Sequence, residues 1–302
     1  MLKQNFPNYV LDNFYHNLES LDVKYNRLLF LLGKGGTYNP IANNITIGKD
    51  FSIFHELFHM ASTKSISNKI VSGFERINIY LNIINGAKKL TYKQLGHVIN
   101  EGYTEIMTHR YFDVKTNSYT FNQFLAQKIE EIVGREDMEK AYLADGATLL
   151  PKLLANYNNG ETLFPGFLEG NRLQSYYSIS KFIEDTDGVL LILAYAGKFT
   201  FNFFDVKSMQ RIIKMLVYLY ANKLEMELSE GIIDIEEYAT KLKKYFEDFY
   251  KIPGYPLELG GKPFIKKYKQ EEYNEIYLAK MNEYVNELIL QASNNYSKSV
   301  KI

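Results

Sequence analysis

The sequence predicts an α+β fold that is predominantly helical, and three observations lead to this prediction. Short extended runs separated by Gly, Pro and Asn occur near the start of the chain, between residues 33 and 48. Apolar residues at helical spacing dominate from about residue 90 onward. The 302 residues are enough to bury a large core without disulfides or other staples. We therefore expect a small, mostly antiparallel sheet followed by a helical C-terminal domain.

The individual elements follow from these patterns in chain order. Apolar positions at helical spacing across residues 9–32 predict a helix and a following strand. Gly, Asn-Pro and Asn-Asn breaks enclose two extended runs, 36–38 and 45–47, which are typical of a β-hairpin. Asp50 is placed to cap the helix that follows it. Further helices are expected at residues 91–110, 120–133, 205–226, 234–250 and 267–292.

The composition excludes several kinds of chemistry. The chain has five histidines and no cysteine, so disulfides and thiolate sites are excluded and a transition metal must be held by histidine and carboxylate. The 35 basic and 35 acidic side chains balance, which argues against a nucleic-acid partner bound by a broad basic field. No signal peptide and no apolar run of ~20 residues is visible. We therefore expect no membrane partner and a cytoplasmic protein, with leaderless export as the alternative.

The most informative stretch is His55-Glu56-Leu57-Phe58-His59. On a helix, side chains four residues apart share a face, so two imidazoles can bind one ion at about 2.0–2.1 Å. Glu56 lies about 100° further round the helix, where it can take a proton from a metal-bound water. Chance predicts roughly 0.007 occurrences of this pattern in a chain of this composition. The pattern indicates a metal-dependent hydrolase, and the alternative is a hydrogen-bonded His/Glu pair in the core.

A second pattern, Asn100-Glu101-Gly102-Tyr103-Thr104-Glu105, falls in the helix expected at 91–110. His-Glu-x-x-His followed on a later helix by Asn-Glu-Gly resembles the gluzincin group of zinc metallopeptidases. The resemblance implies a zincin-like core and one Zn²⁺ ion with three protein ligands. It also implies a general base and, one turn after the third ligand, an acid that orients a ligand histidine. The resemblance implies that the metal ligands are His55, His59 and Glu101. It implies Glu56 as the general base and Glu105 as the orienting acid.

The segment before the His-Glu-x-x-His helix belongs to the same resemblance. Gly36-Thr37-Tyr38 followed by Asn44-Ile45-Thr46-Ile47 resembles the edge strand of zincins, whose free backbone groups pair with an extended substrate. The implied partner is therefore a peptide or protein substrate. The 41 residues from 60 to 100, between the second histidine and Glu101, are about twice the spacer of thermolysin-like members. An insertion or an extra helix must lie there.

Several residues near the expected site keep more than one interpretation. His97 and His109 follow the same helix flank as Glu101 and Glu105, and they are interpreted as surface or supporting residues that could join the site. Glu101 and Glu105 could themselves be surface carboxylates. The donor that would stabilise an oxyanion is not assigned. The candidates for it, each with core packing as the alternative, are Tyr92, Tyr103, Tyr111, Arg172, Tyr176 and Tyr177.

The sequence thus predicts a zinc metallopeptidase with two subdomains. Residues 1–115 would form the zincin-like catalytic subdomain, and residues 116–302 a helical subdomain that completes the cleft. The first alternative is a zincin-fold binding or regulatory module in which the metal is structural, which the intact Glu56 disfavours. The second is a helical scaffold with an accidental motif that binds no zinc. Cleavage specificity and oligomeric state do not follow from the sequence.

Overall fold

A computed structural model describes residues 11–31, 35–49, 52–66, 68–84, 87–114, 120–158, 163–164, 175–176, 179–195, 203–251, 258–259, 262–263 and 279–299. Within these ranges the chain is predominantly helical with small sheets, which confirms the α+β class. The chain divides into two compact units, Met1–Lys152 and Leu153–Ile302. Asp50, the expected helix cap, lies outside the described residues.

The first unit opens with the predicted hairpin and the elements that support it. Its first elements are α1 (Asp12–Leu18), β1 (Asp22–Tyr25), α2 (Arg27–Leu31), β2 (Gly36–Asn39) and β3 (Asn44–Ile47). Strand β3 is central, antiparallel to β2 and parallel to β1. The hairpin prediction is confirmed, whereas residues 9–32 contain a second short helix beyond the expected helix and strand. Ile45 of β3 is fully buried beneath the next helix.

Helix α3 (Ser52–Ser62) carries the His-Glu-x-x-His pattern, and the predicted helix is confirmed. Its start is tied to the hairpin, because the Ser52 hydroxyl donates to the carbonyl oxygens of Gly35 and Lys49, each at 2.6 Å. The chain enters the next strand directly after Ser62. The helix is therefore held at both ends by sheet.

The insertion between the two motifs is an antiparallel sheet. Its strands are β4 (Thr63–Ile66), β5 (Lys69–Ser72), β6 (Glu75–Ile84) and β7 (Ala87–Leu95), paired in sequential order. The expected helix start at Thr91 was wrong, because Thr91 pairs with Tyr80 inside β7. Thr and Tyr suit a pleated surface, and pairing with β6 decided between two local options. Helix α4 (His97–Phe112) begins after Gly96, whose φ is 84°.

Two more helices complete the first unit: α5 (Thr120–Val133) and α6 (Arg135–Ala155). A Cβ on Gly102 would lie 2.8 Å from the backbone nitrogen of Gln123 and closer still to the carbonyl of Asn122. The glycine therefore allows α4 and α5 to pack backbone against backbone. The subdomain boundary expected at residue 115 would fall between α4 and α5, which pack together. The compact unit extends to Lys152.

A partly buried ion-pair network joins the same helices. Arg110 of α4 donates to both carboxylate oxygens of Glu130 on α5, at 2.8 and 3.0 Å, and to Glu139 on α6 at 2.6 Å. Tyr103 also donates to Glu130, at 2.7 Å. The network ties α4, the helix that carries Glu101, to α5 and α6.

The second unit is described by its helices α7 (Ile179–Tyr195), α8 (Phe203–Ser229), α9 (Ile235–Glu247) and α10 (Ala279–Ser299), a 3₁₀ turn (Asp248–Lys251), and the short strand pairs β8–β9 (Leu163–Phe164, Ser175–Tyr176) and β10–β11 (Glu258–Leu259, Lys262–Pro263). Helix α8 packs against the other three helices. The helices expected at 205–226 and 234–250 are confirmed. The one expected at 267–292 is described only from Ala279. That this unit completes a cleft stays a prediction.

Among the helices in the described ranges, none combines the length and apolar character that a bilayer span requires.

Candidate metal centre

Helix α3 presents two histidines to one buried point. His55 and His59 are each 8% exposed, and Glu56 between them is 6% exposed. The carbonyl of His59 near the helix end accepts from the hydroxyls of Thr63, at 2.7 Å, and Ser72, at 3.2 Å. These bonds replace helical partners that the last turn lacks, and they anchor the backbone of the second histidine.

Glu101 of α4 completes a triangle with the histidines. Nε2 of His55 lies 3.0 Å from Nε2 of His59 and 3.3 Å from Oε2 of Glu101. Nε2 of His59 lies 3.2 Å from Oε1 of the same carboxylate. Four ligands at 2.0–2.1 Å in a tetrahedron are separated by about 3.3 Å. The two histidine nitrogens and the carboxylate oxygens of Glu101 are therefore spaced to fit a shared metal ion, and all three residues are buried.

Glu105 lies where the sequence predicted an orienting acid. Its Oε2 is 2.7 Å from Nδ1 of His55, and its Oε1 is 3.2 Å from Nε2 of His109. Glu105 is 2% exposed, so the alternative of a solvated helix face does not apply. A proton on Nδ1 of His55, held by this carboxylate, leaves Nε2 free to bind a metal and makes it more basic. His109 contacts the orienting carboxylate and lies outside the triangle.

Asn100 contacts the second histidine, a position that sequence reasoning did not assign. Its Nδ2 lies 3.3 Å from Nδ1 of His59, and its Oδ1 accepts from the backbone N–H of Phe74 at 3.1 Å. Asn100 is fully buried. Its position directly before Glu101 in the motif was the available signal, since adjacent helical residues point to neighbouring directions.

The electrostatics of the triangle are dominated by close opposite charges. Burial disfavours a charge on His55, but its hydrogen bonds to Glu101 and Glu105 outweigh this and raise its pKa to about 10. Burial likewise acts to raise the pKa of Glu101. The charge of His59 and the hydrogen bonds from both histidines outweigh it and hold that pKa well below its usual range. The carboxylate is therefore ionised and ready to bind a cation.

Glu56 faces the same cavity but stays out of the triangle. The cavity has a volume of about 330 Å³ and is lined by residues of β2, α3, α4 and the inserted sheet. Burial raises the pKa of Glu56, although the positive charges of His59 and His55 and the backbone N–H of Tyr38 act in the opposite direction. A carboxylate beside a metal triangle can accept a proton from a metal-bound water, and a raised pKa makes it the stronger base.

The structure also brings residues to the cavity that the sequence did not place there. His97, interpreted above as a surface or supporting residue, lines the cavity together with Glu75 and Gln94. Glu75 and Gln94 belong to the inserted sheet, and no motif pointed to them. The position of His97 one turn before Glu101 was its only signal in the sequence.

The tyrosines considered for oxyanion stabilisation make other contacts. Tyr103 donates to Glu130, Tyr111 donates to Glu139 at 2.8 Å, and Tyr92 is 55% exposed on β7. None of these three is among the described residues that line the cavity. Arg172, Tyr177 and the side chain of Tyr176 lie outside the described residues.

Comparisons with known proteins give no match, so the interpretation of the centre depends on its geometry. No protein-family model, no curated protein and no solved structure matches this chain. What the chain has is a buried His55–His59–Glu101 group that could hold a metal ion.

Proposed function

We propose that this protein is a zinc metallopeptidase of the gluzincin type, with a zincin-like core. The observation that carries the proposal is the triangle of His55, His59 and Glu101, whose ligand atoms lie 3.0–3.3 Å apart beside the buried carboxylate of Glu56. A structural metal site needs no such carboxylate held close to the ion without joining its ligands.

The donor set favours zinc. Two imidazole nitrogens and one carboxylate oxygen are typical of catalytic zinc sites, which keep a fourth position open. A zinc ion in the triangle would polarise a substrate carbonyl and lower the pKa of a bound water towards neutrality. His55 and His59 would bind through Nε2, and Glu101 through its carboxylate.

Glu56 would hold and move the proton. Its raised pKa makes it a stronger base than an exposed glutamate. Gly36 allows β2 to lie against it, since a Cβ at this position would be 3.2 Å from Cγ and Oε1 of Glu56. The backbone N–H of Tyr38 donates to the carboxylate and keeps it turned towards the cavity. From there Glu56 would take the proton of the attacking water and deliver it to the leaving amine.

An extended peptide is the substrate that suits the cavity wall. In the described part of the chain, β2 pairs with β3 alone and forms the edge of its sheet. Gly36, Thr37 and Tyr38 of this edge line the cavity that holds the triangle. A peptide added to the edge by backbone hydrogen bonds would bring one of its carbonyl groups past Glu56.

The test combines metal content with turnover. Purified protein should carry stoichiometric zinc by elemental analysis and should cleave members of a mixed peptide library followed by mass spectrometry. Glu56→Gln should keep the zinc and lose at least about 10²-fold in rate, whereas Glu101→Ala should lose the zinc. His16→Ala, an exposed histidine of the same unit, is the matched control and should behave like the parent.

Three results would reject parts of the proposal. Absence of zinc from the parent would remove the metal centre. Zinc binding by Glu101→Ala at parental affinity would remove the third ligand. Zinc without cleavage of any library peptide would leave the alternative of a zincin-fold binding module.

A further inference from the structure

A second group of metal-binding side chains shares Glu101 with the triangle. Glu75 begins β6 and His97 begins α4, and both face the cavity. Nδ1 of His97 lies 3.4 Å from Oε2 of Glu75 and 3.8 Å from Oε1 of Glu101. One ligand atom from each of the three residues lies within 4.8 Å of the others.

The backbone forces this arrangement. Gly96, with φ at 84°, connects β7 to α4, and a Cβ there would lie 3.2 Å from the carbonyl carbon of Phe74 and closer to its oxygen. The connection between β7 and α4 therefore lies directly against the residue that precedes β6. Glu75 follows Phe74 and His97 follows Gly96, so their side chains leave the backbone at adjacent points. Their proximity does not depend on flexible side chains.

Neutral amides orient the carboxylate of Glu75, which is 5% exposed. Gln94 donates to its Oε1. Asn100 donates to its Oε2 at 3.4 Å while also lying beside His59. These bonds fix the carboxylate without neutralising its charge. The same amide nitrogen of Asn100 thus lies between Glu75 and His59.

The carboxylates of the cavity leave negative charge for a cation beyond the first divalent ion. Three buried carboxylates line the cavity: Glu56, Glu75 and Glu101. The described residues that line the cavity include no lysine and no arginine. With the histidines neutral, as metal ligation requires, one divalent ion would leave one uncompensated negative charge. Buried charges without partners are strongly unfavourable, so the site favours further cations.

We propose that the centre is dinuclear, with Glu101 as a bridging carboxylate. The second divalent transition-metal ion would be bound by Glu75, His97 and the Oε1 side of Glu101. This inference depends on the proposed function through the shared ligand Glu101. Two-metal hydrolases hold their ions about 3.5–4 Å apart, a distance that one carboxylate spans. The second site should be the weaker one, because its ligand atoms are further apart and the His97 side chain is 38% exposed.

The experiment measures stoichiometry on the full chain. Protein treated with a chelator is titrated with Zn²⁺ by calorimetry, and with Co²⁺ by visible absorption and electron paramagnetic resonance. The parent should bind two equivalents, the second at least about tenfold more weakly. The doubly loaded cobalt form should show magnetic coupling between the ions. His97→Ala and Glu75→Gln should bind one equivalent, with the affinity of the tighter site unchanged. His16→Ala should bind two.

The outcomes separate this inference from the proposed function. A parent that binds one zinc ion and cleaves peptides overturns the second site and leaves the function intact. A parent that binds no zinc overturns both. If His97→Ala still binds two equivalents, the ligand assignment is wrong. His97 is partly exposed, so this variant keeps the test decisive even if Glu75→Gln fails to fold.

Discussion

The contact between α4 and α5 predicts a substitution that should damage the metal centre without touching a ligand. In Gly102→Ala, the new Cβ would lie 2.8 Å from the nitrogen of Gln123, whereas ordinary contacts begin at 3.4 Å. The opposing atoms belong to the backbone and cannot rotate away. The helices must therefore separate by at least about 0.6 Å. Glu101 is the preceding residue and would move with its helix.

The expected magnitudes follow from this displacement. Overpacking costs about 1–3 kcal/mol, and a clash with backbone belongs at the upper end. Alanine regains about 1 kcal/mol of helix propensity, so the net loss in the free energy of unfolding should be about 2 kcal/mol. Binding sites tolerate displacements of about 0.5 Å. We therefore expect zinc affinity to fall by about 10- to 100-fold, similar to the loss of a supporting partner.

Urea denaturation of chelator-treated protein measures the loss of unfolding free energy. A competition titration with a zinc indicator measures the loss of zinc affinity. Gly134→Ala is the matched control. Gly134 has φ of 93°, and its Cβ would meet no atom within 4 Å. Strain should destabilise this variant by about 1–2 kcal/mol while zinc affinity stays at the parental value. If Gly102→Ala keeps both parental stability and parental zinc affinity, the glycine does not set the position of Glu101.

Four further predictions concern charge. Because His55 has a pKa of about 10 and must lose its proton to bind metal, the zinc Kd should fall about tenfold per pH unit between pH 6 and 8, and calorimetry in two buffers should detect the released proton; a Kd independent of pH would contradict this. The raised pKa of His55 also contributes to the stability of chelator-treated protein. This contribution is fully present below pH 6.5 and should be lost as the pH rises towards 10, which thermal unfolding at several pH values can test. Glu105→Gln should lower zinc affinity about 10- to 100-fold with little change in fold, measured by the same titration and by circular dichroism; parental affinity would exclude an orienting role. Arg110→Ala leaves Glu130 without its cation and Glu139 with Arg135 as its cation, and it should lower the free energy of unfolding by about 2–4 kcal/mol, measured by urea denaturation. A loss below about 0.5 kcal/mol would show that the network contributes little.

Features that depend on local geometry were predictable from the sequence. The spacing of His55 and His59 fixes their shared face, because four residues make about one helical turn. The hairpin at residues 36–47 follows from its turn residues, and the helix at 120–133 from its apolar period. The helix prediction for residues 91–95 was wrong for a related reason. Their local preference was ambiguous, and pairing with β6 selected a strand.

The sequence by itself determined the two motifs, their helices and the kinds of atoms that any metal must use, since a chain without cysteine offers only nitrogen and oxygen donors. Only the tertiary structure decided that Glu101 reaches both histidines and that Asn100 contacts one of them. It also decided that Glu75 and His97 face the same cavity. The physical reason is that helical spacing is set by bonds between near neighbours. The distance between α3, α4 and β6 is set by packing, through contacts such as Gly102 against α5 and Gly96 against Phe74, which no periodicity in the chain records.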